Sequence, residues 1–218
     1  MILFFKKLFS VIIIFFQSII VFSQLGPEVP FSLSIEPIQG TFITGTHSSA
    51  IAKSGDKWLV IGGRINGLHG LNSNDGFPTE LANEYIIVLD TSTWTESIAS
   101  LNQLPESIAD PLRSTNMEYI HMGSYLYMIG GYGRDNVAGI FVTFPKLTAI
   151  HVDSMINAVL NGESIAPHIR QITDSRFQVC GGELGNIGQE LYLLFGHNFG
   201  GRYTDPPTSM FTQTYTDR

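Results

Sequence analysis

Three times along this chain a run of bulky apolar residues ends in glycine. The runs are Trp58-Leu59-Val60-Ile61-Gly62-Gly63, Tyr125-Leu126-Tyr127-Met128-Ile129-Gly130-Gly131, and Leu191-Tyr192-Leu193-Leu194-Phe195-Gly196 before His197. Gly62, Gly130 and Gly196 stand 68 and then 66 residues apart, and a fixed period of this order marks an array of equivalent supersecondary units. In the first two copies a turn glycine, Gly55 or Gly123, precedes the paired glycines by seven residues. An apolar strand on each side of such a turn is a hairpin signature, predicting strands over residues 47–53 and 57–61, and again over 116–122 and 125–129. In the third copy strands are expected over 176–180 and 191–195, with a glycine-rich bend from Gly181 to Gly188 between them. A third strand is expected over 84–90 in the first unit and 147–153 in the second, both dense in strand-favouring residues. A fourth, outer strand should carry Trp94 inward. Four short antiparallel strands per unit describe a propeller blade, and Gly62-Gly63 and Gly130-Gly131 then serve close backbone approach between blades.

The first 23 residues are set apart from this array. Lys6-Lys7 is followed by an apolar stretch from Leu8 to Phe22, a pattern of secretory signal peptides, with cleavage expected before Gln24. The stretch is shorter than the roughly 20 residues of a comfortable span, so export without membrane insertion is expected. The protein is then secreted or at the cell surface, with a periplasmic location the alternative. Residues 24–40 form a lead-in segment and 41–218 the repeats. Cys180 is the only cysteine, so no disulfide within the chain can form. The chain carries 12 Lys and Arg against 19 Asp and Glu, a net charge of −7. Loss of Lys6 and Lys7 with the leader makes the balance still more acidic, which argues against nucleic acid as a partner.

At the level of motifs the chain resembles a known family. His47-Ser48-Ser49, the turn at Gly55, the apolar strand, Gly62-Gly63, and a strand ending at Asp90 with Thr93-Trp94 behind it are similar to a kelch repeat of the galactose-oxidase-like β-propellers. The stretch from Gly62 to Gly70 and Leu112-Arg113-Ser114-Thr115-Asn116-Met117 resemble secreted bacterial kelch-repeat proteins. The likeness covers residues about 40 to 205 and implies an all-β, kelch-type β-propeller. The second unit departs from it by lacking a tryptophan after its third strand and by inserting an apolar segment, Gly139 to Phe144. In the third, His197 stands where the second glycine is expected. At this period about three four-stranded blades fit, fewer than the four to eight of a closed ring. The expectation is the N-terminal part of a longer propeller, with a ring completed by other copies as the alternative.

Strand order also predicts where a site would lie. Residues before each first strand and after each glycine pair share one edge, and this edge collects Arg64, Asn66, His69, Arg113, Arg134, Arg170, His197 and Arg202. Guanidinium groups make paired, charge-assisted hydrogen bonds to carboxylate, sulfate or phosphate. The expected function is therefore a recognition module binding a glycan or extracellular protein, anionic in character, through an arginine-bearing face. The alternative is an enzyme on sugar acids, an epimerase, mutarotase or lyase, with His69 or His197 as acid or base. The histidines show no metal spacing, no cofactor motif is present, and His121, His151 and Cys180 are expected as packed residues.

Overall fold

The computed structural model of the chain describes residues 31–37, 44–66, 77–203 and 210–216. The leader, residues 67–76 of the Arg64-to-Leu81 loop (His69 included) and residues 204–209 lie outside them. The chain divides into Met1–Gln39 and Gly40–Arg218. In the first segment, residues 31–37 are exposed and without regular structure. No helix among the described residues is long and apolar enough to cross a membrane.

Among its described residues, Gly40–Arg218 is mostly β, built as four antiparallel sheets, none closed on itself. The first repeat contributes β1 (Ala50–Ser54), β2 (Lys57–Ile61), β3 (Tyr85–Asp90) and β4 (Thr95–Ser100), paired in that order. The second contributes β5 (Glu118–Met122), β6 (Tyr125–Ile129), a hairpin of β7 (Tyr132–Asp135) and β8 (Ile140–Thr143), then β9 (Lys146–His151) and β10 (Ile169–Thr173). The hairpin is set aside from the sheet, whose order is β10-β9-β6-β5. The third gives β11 (Glu183–Ile187) and β12 (Glu190–Leu194), and after them β13 (His197–Arg202) and β14 (Met210–Tyr215). The last pair joins the inserted hairpin in a sheet ordered β14-β13-β8-β7.

The repeat is visible in the turns. Gly55, Gly123 and Gly188 each take a positive φ, 55°, 60° and 60°, as the first residue of a two-residue loop between paired strands. This is the position glycine holds in type II′ hairpins. Seven residues on, the first two repeats place Gly62 and Gly130 at φ 71° and 66°, followed by Gly63 and Gly131 at 80° and 85°. In the third repeat Phe195 takes that first place at φ 61° and Gly196 the second at 83°. The missing glycine is thus the first of the pair, and His197 aligns with Arg64 and Tyr132.

Backbone atoms join one repeat to the next. Gly63 N–H donates to Ser114 O (2.8 Å) and Gly131 N–H to Val179 O (2.9 Å). Asn116 N–H donates to Ser48 O (3.2 Å) and Gly181 N–H to Asn116 O (3.0 Å). A Cβ on Gly62 would lie 2.6 Å from Ser114 O, and one on Gly130 would fall on the Val179 carbonyl oxygen. The glycine pairs therefore permit one backbone to pass against the next, as the sequence implies.

Three expected strand boundaries change. The third strand of the second repeat ends at His151, whose Nδ1 accepts from Ser154 N–H (3.4 Å) and opens helix α2 (Val152–Asn161), following the short α1 (Glu106–Leu112). Val152, Met155, Ile156 and Val159 of α2 recur at helical spacing and are buried in the core with Leu59, Ile86 and Leu126. Residues 176–180 do not form a strand. Asp174 accepts from Arg176 N–H (2.8 Å) and closes a 3-10 turn at Ser175–Phe177, leaving only an isolated bridge from Cys180 to His197. The expected bend contains β11 instead. The fourth strand of the first repeat forms, but Trp94 stays in the turn before it, half-buried at φ 54°.

Candidate functional site

Arg64, Tyr132 and His197 each follow a glycine-pair position and each pairs back to the chain just ahead of a hairpin, with His47, Thr115 and Cys180 respectively. Arg64 is 3 % exposed. Its guanidinium carbon sits 3.8 Å from the centre of the Phe77 ring, and its nitrogens donate to Asn66 Oδ1 (3.0 Å) and Pro78 O (2.6 Å). Phe77 meets Tyr132 and Phe141 edge-on, at 4.8 and 5.9 Å between centroids. Phe141, on the inserted hairpin, in turn has the guanidinium carbons of Arg134 and Arg202 at 5.4 and 5.7 Å from its ring centre. Three of the five expected arginines thus converge on two buried aromatic rings, in the geometry of cation–π pairs.

Two recesses share Phe77 as a lining residue. One is a notch of about 20 Å³ lined by Arg64, Arg113, Arg134 and Glu84 with Phe77 and Phe141. The other is a cleft of about 260 Å³ lined by Phe77, Asn116, His197, Phe199, Tyr203 and Gln213, and floored by Tyr132 and Cys180. The Tyr132 hydroxyl donates to Gly201 O (2.7 Å) and accepts from Tyr203 N–H (3.1 Å), tying the cleft wall to β13. Burial pushes the Tyr132 phenol well above its ordinary range. Burial also pushes the Cys180 thiol up and the His197 imidazole down. All three shifts favour the uncharged form, and Cys180 is a packed thiol beside Thr143 Oγ1 (3.6 Å), as the sequence suggests.

The other expected site residues lie elsewhere or are engaged. Arg113 is buried at the C-terminus of α1. It donates to Glu84 (2.7 Å), Glu106 (2.6 Å), Asp110 (2.9 Å) and Asn102 (2.7 Å). Burial works against its charge, but Glu106 and Glu84 outweigh that and raise its pKa. Its role is to neutralise carboxylates at the rim of the notch. Arg170 does not precede an inner strand. It lies exposed in β10, the outer strand of the second repeat, and donates to Pro167 O (3.1 Å) and Ile169 O (2.9 Å). His121, expected inside, is exposed on β5 and accepts from Lys53 N–H (3.4 Å).

Neither a protein family nor a curated protein matches the chain. The site is therefore read from its own residues. Among the described residues, no group of three or more His, Cys, Asp and Glu stands close enough to hold a metal ion. The sequence marks Phe77 only as an anchor of the loop after Arg64, and does not mark Tyr132, Phe141, Phe199 or Tyr203 as site residues. Tyr132 carried a signal, since it stands directly after Gly130-Gly131 as Arg64 stands after Gly62-Gly63. Phe77 and Phe141 belong to insertions between repeat strands and have no equivalent from which to be inferred, while Phe199 stands level with Asn66 and Arg134, two places past His197, but shares neither residue's type.

Proposed function

We propose that the chain is part of a kelch-type β-propeller, exported by its leader, that recognises an anionic glycan or extracellular protein through the face bearing Arg64, Arg134 and Arg202. The propeller reading is supported by two four-stranded antiparallel repeats, a third begun with the same hairpin register, and the recurring backbone joints between them. The functional reading rests on one observation: three guanidiniums gather around Phe77 and Phe141 in a chain that is acidic overall. Positive charge is concentrated there against the net balance, beside aromatic surface and a recess. Arginine forks bind carboxylate and sulfate, and a low-dielectric aromatic surround strengthens the attraction.

Arg134 is the residue to remove, because it makes no ion pair among the described residues and lines the notch. Losing one charge-assisted hydrogen bond is worth about 1.5–3 kcal/mol, so Arg134→Ala should weaken binding to an acidic polysaccharide such as polygalacturonate by about 10- to 100-fold. Binding should also fall with added salt. Equal binding by Arg134→Ala and the parent chain would sink the reading.

A second reading, catalysis on sugar acids, is favoured by His197. It lines the larger recess, where burial favours its neutral form, the state a general base requires. Conversion of a hexuronate by the chain, lost in His197→Gln, would establish it. Absence of turnover by a chain that binds the same sugar would remove it.

A further inference from the structure

We infer that the ligand is an acidic saccharide, with a sugar ring in the cleft and its carboxylate or sulfate in the notch; this deepens the recognition reading above and rests on it. The two recesses differ in size and chemistry, and the difference is informative. The notch, at about 20 Å³, has room for roughly one water-sized group, which admits one oxygen of a carboxylate or sulfate but not a ring. Arg64 and Arg134 both line it, and Glu84, the one carboxylate among the described residues of its lining, is already paired with Arg113. The cleft, at about 260 Å³, lies just under the roughly 300 Å³ at which sites for drug-sized ligands begin, a size for one ring.

The lining of the cleft matches a sugar. It holds no carboxylate, ammonium or guanidinium among the described residues, so it does not itself take the charge. It combines aromatic side chains, Phe77, Phe199 and the half-buried Tyr203, with the side-chain amides of Asn116 and Gln213 and the imidazole of His197. A pyranose presents apolar C–H faces and a rim of hydroxyls that both donate and accept. Aromatic rings cover the first, and amides, which carry a donor and an acceptor on one group, answer the second. An acidic peptide offers a carboxylate on a flexible stem, and even with a ring-bearing residue beside it lacks the rim of hydroxyls that the amides answer. Phe77 lines both recesses, so in this arrangement the acid and the ring that carries it would lie against the same side chain.

The test is calorimetric titration of the exported chain with galacturonate, galactose 6-sulfate, galactose and the sugar-free dianion glutarate. Galacturonate or the sulfated sugar, or both, should bind at least tenfold more tightly than galactose and than glutarate. Which of the two is preferred identifies the acid. Gln213 is exposed on β14, and its replacement leaves the backbone pairing with Phe199 in place. Gln213→Ala should weaken the acidic sugar by about three- to tenfold, the worth of one neutral hydrogen bond, and leave glutarate unchanged. Arg134→Ala should weaken both. If glutarate matches the acidic sugars and Gln213→Ala affects neither, the saccharide inference is overturned while anion recognition stands. If no anion binds at all, the recognition reading falls with it.

Discussion

Alanine at Gly130 tests whether the paired glycines exist for the joint between repeats. Two costs add there. The residue sits at φ 66°, a left-handed conformation that costs an L-residue about 1–2 kcal/mol. The new Cβ would also coincide with Val179 O and lie 2.9 Å from Phe177 O, so the incoming backbone must retreat. That retreat breaks the hydrogen bond from Gly131 N–H to Val179 O at a fully buried residue, leaving an unsatisfied group worth about 1–3 kcal/mol. Gly123 supplies the control. It has φ 60°, and a Cβ there meets nothing within 4 Å, so Gly123→Ala carries the conformational cost alone. Thermal unfolding followed by circular dichroism should therefore place Gly130→Ala about 1–3 kcal/mol below Gly123→Ala. For a chain of this size that is a gap in Tm of roughly 2–12 °C. Equal losses in the two variants, within about 0.5 kcal/mol, would show that the joint tolerates a side chain and that the repeats are not held by this approach.

The same logic runs in reverse at Phe195, which holds a glycine's place at φ 61° while 70 % exposed. Phe195→Gly gives up little burial and relieves about 1–2 kcal/mol of strain, against 0.5–1 kcal/mol of added chain entropy. A net gain of about 0.5–1 kcal/mol in urea unfolding is expected, and a loss would refute the alignment of the third repeat. Glu118, 6 % exposed, is raised above its ordinary pKa of 4.5 by burial first, opposed by Gly182 N–H at 2.6 Å and reinforced by Glu183. A carboxyl raised in the fold contributes stability at pH values below 4.5, and this is lost as pH rises through the folded value. Glu118→Gln should match the parent chain at low pH and exceed its stability at neutral pH. A constant difference across the range would show that Glu118 does not titrate in this way.

The repeating part of the molecule was legible because its demands are local. A two-residue turn needs Gly55 or Gly123, a close backbone crossing needs Gly62 or Gly130, and these recur at a fixed offset in any repeat that keeps the geometry. Only Phe195 disguised the third copy, by occupying a left-handed position that glycine usually holds. What lay between the repeats was less legible. Helix α2 follows β9 without a break, and Leu147 to Asp153 reads as one apolar run until His151 is seen capping the helix. The partnership of the β7–β8 and β13–β14 hairpins depends on residues more than 50 positions apart, for which periodicity has no signal. The site divides the same way. Arg64, Arg134, His197 and Arg202 followed from their place after the glycine pairs. Arg113 was engaged by Glu84, Glu106 and Asp110, which nothing local announces, and Arg170 was displaced to an outer strand by the inserted α2.

The sheet ordered β14-β13-β8-β7 draws its two hairpins from different repeats, and Tyr132 and Thr143 fasten them through Gly201 O and Phe199 O. Its rings are also walls of the proposed site. A molecule lodged between Phe77, Phe141 and Phe199 would thus rest on both sides of a seam, and by mass action it would oppose any slippage there in proportion to its own affinity. Occupancy and cohesion would become a single quantity, so that a protease or a denaturant working at the seam could report whether the site is filled.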